Sequence, residues 1–156
     1  MKTFLLILLL SIISLTSCNS QTQTKIEKTT IQQSDLKEPL NYINSFFNKY
    51  KNEGVQKAID YISSTNTSIT GLDNMKNKLD SIKVQVGDLV GFEQVAQKNA
   101  GNGLVLFSYL GKYKYYPLRF TFIFYKPQNS WTLIKFDFDN NILDELEYSS
   151  KIYLAQ

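Results

Sequence analysis

An α+β fold is predicted by three features of this chain: helix-period apolar stripes come first, strand-period runs follow, and the runs end in an aromatic hairpin. The hairpin is the clearest of them. Phe120, Phe122 and Phe124 alternate with Thr121, Ile123 and Tyr125, the two-residue period of a strand. Pro127-Gln128-Asn129-Ser130 then supplies turn formers, and a second alternating run spans Trp131 to Phe138. The architecture this implies is a layer of N-terminal helices on a curved four-stranded antiparallel sheet, followed by a short C-terminal helix.

The helices come from spacing. Leu36, Leu40, Ile43, Phe47 and Tyr50 recur at alternating four- and three-residue steps, which lays one apolar stripe on a helix from about Leu36 to Lys51. Pro39 fits only in its first turn. Gly54 separates it from a short second helix carrying Val55, Ala58, Ile59 and Ile62, which stops at the polar cluster Ser63 to Ser68. Leu72, Met75, Leu79 and Ile82 mark a third.

Strands are then expected at Gly87 to Lys98 (bent at Gly91), Leu104 to Leu110, Leu118 to Lys126 and Trp131 to Phe138. Asn102-Gly103 suits the first turn, and Gly111 to Tyr116 reads as a Tyr/Lys-rich connection. Ile142 to Lys151 is the short C-terminal helix. Strand three is apolar on both faces, so one face is core and the other needs a cover: its own curl, a ligand, a dimer partner or the C-terminal segment.

Composition narrows the chemistry. The chain has 156 residues, the length of one domain, with 17 basic and 14 acidic side chains and Arg119 as the sole arginine. So even a balance, without a basic cluster, argues against a nucleic-acid partner. There is no histidine, which removes the commonest general base and zinc ligand. No residue pattern calls for a metal or any other cofactor. Asp137, Asp139 and Asn141 form the first half of a calcium loop, but Ile142 stands where glycine is needed and Tyr148 where the closing Glu belongs. Turn and capping roles explain them better.

The N-terminus carries an address. Lys2 precedes an apolar run from Phe4 to Ile13, too short for the roughly twenty residues of a membrane span, so residues 1–17 read as a signal peptide. Leu15-Thr16-Ser17-Cys18 follows, and this resembles the lipobox of bacterial lipoproteins. The resemblance implies that Cys18 is acylated, that the leader is cut before it, and that the new N-terminus is acylated too. At about 0.8 kcal/mol per buried CH₂, several chains anchor firmly where one is marginal. Asn19, in place of an Asp, and the lack of acids up to Thr24 imply by the same resemblance an outer-membrane anchor facing the periplasm. Residues 18–34 are then lipidated cysteine and flexible spacer, reaching about 20–25 Å, and residues 35–156 form the single domain.

Within that domain, helices followed by an antiparallel sheet, with Tyr115-Tyr116-Pro117-Leu118-Arg119-Phe120, Phe124-Tyr125-Lys126-Pro127, Trp131 and Phe136-Asp137-Phe138-Asp139, resemble small bacterial domains of the cystatin-like, nuclear-transport-factor-2-like class. The class includes enzymes, ligand carriers and interaction modules, whose catalytic residues sit in the cone between helices and sheet. No catalytic residue of the class matches a position here. Asp80-Ser81-Ile82 resembles a three-residue O-glycosylation acceptor of Bacteroidota envelope proteins.

Two groups are candidate ligand contacts. Arg119 either holds a carboxylate or phosphate in the cone or makes an edge-of-strand ion pair with acids near the C-terminus. Tyr113, Tyr115 and Tyr116, with Tyr109, Lys112 and Lys114, form either an aromatic-basic binding surface or the wet face of a strand. The acids Asp144, Glu145 and Glu147 read as a solvated helix face. The functional expectation is a membrane-anchored envelope lipoprotein that binds a small ligand or another envelope protein, with a homodimer through the aromatic sheet face as a further form. The alternative is a cone-cavity enzyme of lyase, isomerase or hydrolase type using Asp, Tyr or Arg.

Overall fold

Four antiparallel strands, each paired with its neighbours in chain order, carry three helices on one face, in a computed structural model that describes residues 31–153. The expected leader, Cys18 and most of the expected spacer lie outside the described residues. A 3-10 turn at Gln33–Leu36 leads into α1 (Lys37–Glu53), followed by α2 (Val55–Thr65) and α3 (Leu72–Val86). The strands are β1 (Leu89–Ala100), β2 (Leu104–Tyr113), β3 (Leu118–Tyr125) and β4 (Thr132–Asp139), and α4 (Ile142–Tyr153) ends the described chain. No helix among the described residues is long and apolar enough to cross a membrane.

The core is an aromatic layer. Phe120, Phe122 and Phe124 of β3 all point toward the helices, where Phe46 and Phe47 of α1 meet the first two and Tyr42 meets Phe124. Phe46 lies 5.4 Å from Phe122 and 5.0 Å from Phe136, ring centre to ring centre, in tilted and edge-on contacts that suit the aromatic quadrupole. Phe47 stacks at 4.3 Å on Phe92 of β1. These rings fill the space between helices and sheet.

Bulges adjust the strands around this layer. Pairing slips once between Leu89 and Gly91 and once between Gln94 and Ala96, leaving Val90 and Val95 as the extra residues of β1. The bend thus falls beside Gly91, at Val90, and a second one follows. In β4, Ile123 faces Lys135 while Phe124 faces Leu133, so Ile134 is the extra residue. That slip is why Leu133, Phe136 and Phe138 can all point inward although their spacing is not strictly two. Bulges on both edge strands also break the flat edge that other strands would pair with.

Two boundaries shift from the sequence expectation. Ile31, placed in the spacer, is buried in the core, and the entry to α1 is pinned by Trp131, whose indole N–H donates to the Asp35 carbonyl at 2.8 Å. Lys126 adds an ion pair to Asp35 at 3.3 Å. The second strand runs on to Tyr113, so Gly111, Lys112 and Tyr113 belong to β2 rather than to a connection. The reason is register: Gly111 pairs with Leu118 and Phe92, and Tyr113 with Leu89.

Candidate functional site

Alternation along β3 decides where Arg119 goes. With the three phenylalanines facing inward, Arg119 must face outward, away from the helices. There it donates through Nε and Nη2 to one oxygen of Asp139, at 3.0 and 2.9 Å, and through Nη1 to Glu145 at 2.5 Å. Asp139 is its cross-strand neighbour on β4, and Glu145 lies in the first turn of α4. Hydrogen bonding to Glu145, supported by Asp139, raises the guanidinium pKa above its ordinary value against the opposing effect of partial burial. Arg119 is the clasp that holds α4 to the outer face.

The clasp closes one side of a groove. Between α4 and the outer face lies an open volume of about 680 Å³, walled by Leu106, Val95, Ala96 and Thr121 on the sheet and by Ile142 and Leu146 on the helix. Register places the outer-face side chains in rows. One reads Lys98, Leu106, Ile123, Lys135 across the four strands, and the next reads Ala96, Ser108, Thr121, Asp137. The C-terminal segment therefore covers only part of the face, and Tyr125 and Ile134 remain about half exposed.

Because Arg119 ties α4 to the sheet through Glu145, Arg119→Gln is expected to raise hydrogen exchange in α4 at least about ten-fold while moving global stability by less than about 1 kcal/mol, as for partly exposed ion pairs. Exchange–mass spectrometry would check it. Unchanged protection of α4 would mean that Ile142 and its neighbours hold the helix without the clasp.

The tyrosines do not form one surface. Tyr109 and Tyr113 face inward from β2 and are buried, while Tyr115 and Tyr116 stand exposed in the β2–β3 connection. That connection is pinned, since the Tyr115 amide donates to the Val86 carbonyl at 2.9 Å and the Lys114 amide to that of Asp88 at 3.1 Å. Lys114 lies over the Tyr115 ring at 5.1 Å.

Tyr113 instead meets Tyr50 of α1. The Tyr113 hydroxyl donates to the Tyr50 hydroxyl at 3.0 Å, deep at the end of the helix stripe. Burial pushes both phenol pKa values above the ordinary range, strongly for Tyr113, so both remain protonated. In the sequence Tyr50 reads only as a core position, and nothing in its spacing distinguishes a tyrosine with a hydroxyl partner from a phenylalanine.

The other motifs take structural roles. The Asp137 carboxylate accepts from the Phe138 amide and that of Asp139 from the Asn141 amide, both at 2.9 Å, which is turn and helix-start chemistry. No group of three or more His, Cys, Asp or Glu among the described residues could hold a metal ion. Ser81 sits within α3 and donates to the Lys78 carbonyl at 2.8 Å.

What fold and site define is an α+β domain with an aromatic inner layer and a half-covered, lysine-bordered outer face. No family model, curated protein or solved structure matches the chain.

Proposed function

We propose that this chain is an envelope lipoprotein, anchored through acylated Cys18 on the periplasmic side of the outer membrane, whose cystatin-like, nuclear-transport-factor-2-like domain works as a protein-interaction module. The observation that carries this reading is the outer-face row Lys98, Leu106, Ile123, Lys135, an apolar pair bracketed by two lysines beside a groove. Its complement is a segment of another envelope protein with apolar side chains between carboxylates. The inner side, where a cone enzyme would keep its reacting groups, is occupied by Phe46, Phe47, Phe120, Phe122 and Phe136.

The test is a photo-crosslinking residue at position 123 in the intact host envelope. One cross-linked partner, lost on Lys98→Glu with Lys135→Glu, supports the reading. Cross-linking to a second copy would replace the partner with a homodimer, and no cross-link would remove the outer face from the account.

The anchor has its own expectation. Cys18→Ala should move the protein from the membrane to the soluble envelope fraction and abolish labelling by a palmitate analogue, with thermal unfolding of the domain unchanged. Membrane retention of that variant would overturn the lipid assignment.

A further inference from the structure

α4 carries within this chain the chemistry that the outer face asks of a partner. Ile142, Glu145, Leu146 and Ser149 share one helix face and line the groove, so apolar and acidic side chains alternate over the sheet. We propose that the outer face docks an acidic amphipathic helix, that α4 occupies part of this site in cis, and that the incoming carboxylate takes the place of Glu145 on Arg119. The inference rests on the envelope-module reading and names both the partner's chemistry and the competitor it displaces.

α4 is a poor occupant of the site. Of its groove-facing side chains only Ile142 is half-buried, and Leu146 stays 61% exposed although it overhangs the groove. An open volume of about 680 Å³ is left between helix and sheet. A helix of 12 residues is marginal without packing, and here the packing is slight. The floor of Val95, Ala96 and Leu106 would be buried more fully by a helix whose apolar stripe is unbroken.

The clasp is built for exchange. Asp139 accepts from both Nε and Nη2 of Arg119, which fixes the guanidinium plane and leaves Nη1 aimed at α4 as a donor. The two acids differ in their exposure to water: 28% for the Asp139 side chain and 59% for that of Glu145. Asp139 is therefore the positioning residue, and Glu145 is the acid that another carboxylate can replace at little cost. An extended segment is the poorer fit, because the bulges at Val90, Val95 and Ile134 interrupt both edges where it would pair. The partner docks by a face, as α4 does.

The probe is a peptide of residues 141–153 carrying Ser149→Leu, which completes the apolar stripe. It is titrated into the full mature chain and followed by the amide resonances of Leu106, Thr121 and Ile123. Saturable shifts are expected, and Glu145→Gln in the chain should tighten binding about five-fold, because the cis competitor has lost its ion pair. Glu145→Gln made instead in the peptide should weaken binding to that variant chain about five-fold. Adding Arg119→Gln to the chain should abolish the difference between the two peptides. One substitution then acts with opposite signs in cis and in trans, which a purely structural role for α4 would not produce. Absence of saturable shifts, no gain from the substitution in the chain, or equal binding of the two peptides to the Glu145→Gln chain would overturn the proposal. The cross-link at position 123 reports separately on the envelope partner. If it persists while the peptide fails, the partner stands and α4 is no competitor. If the peptide behaves as expected without a cross-link, the docking site stands and the envelope reading falls.

Discussion

Phe120→Ala is expected to cost about 3–5 kcal/mol of folding stability, the range for removing a buried phenylalanine side chain. Total stability for a domain of this size is about 5–15 kcal/mol, so the variant would be near its unfolding limit at growth temperature. The expectation rests on position. Phe120 is fully buried and its ring touches those of Phe46, Phe47, Tyr50, Tyr113, Phe136 and Phe138. It therefore joins α1 to β2 and β4 at once. The neighbours are themselves packed against the sheet, so they have little freedom to collapse into the vacated space, and the cavity term adds to the lost transfer energy. Ile123→Ala, three residues on but on the outer face, should cost far less, under about 1.5 kcal/mol, because its side chain is only half-buried. Urea unfolding of the two variants would decide. Equal losses would mean that the inner and outer faces of β3 have been assigned wrongly.

The contrast between those two residues also shows what the sequence made readable. Order and type of the α-helices and strands follow from the sequence, though not the 3-10 turn before α1: the stripe ending in Tyr50 is α1, the stripe from Leu72 is α3, and the alternation at Phe120 to Phe124 is β3. Boundaries are less visible, because they depend on partners distant in the chain. Gly111 to Tyr113 carries too few apolar residues to read as strand, and only pairing with Leu118, Phe92 and Leu89 keeps it extended. Ile31 looks like one apolar residue in a polar spacer until the domain closes over it. The site was least readable. Arg119 and Glu145 lie 26 residues apart, and Tyr50 and Tyr113 lie 63 apart, separations at which periodicity carries no information. What alternation did fix is Arg119's face: once Phe120 is inward, the arginine is outward, away from the helices.

Gly111→Ala is the second substitution expected to have a large effect, although it adds a single methyl group. A Cβ built at Gly111 would lie 2.6 Å from Cε2 of Phe120, closer than carbon atoms approach in folded proteins, and a tight 3.1 Å from the ring of Tyr113. The glycine is needed here for space. Its α-carbon faces inward between Tyr109 and Tyr113, and the Phe120 ring lies across the gap where a side chain would stand. That ring has nowhere to go, because Phe46, Phe47 and Phe136 enclose it. Overpacking of this kind costs about 1–3 kcal/mol, and Gly111→Val should exceed the alanine. If the clash with Phe120 is the cause, shrinking that ring should relieve it. Gly111→Ala combined with Phe120→Leu should then be more stable than the sum of the single losses implies, by about 0.5–3 kcal/mol. Strict additivity in urea unfolding would place the cost of the methyl group elsewhere, in the β2 backbone or against Tyr113, and would detach this glycine from the aromatic layer.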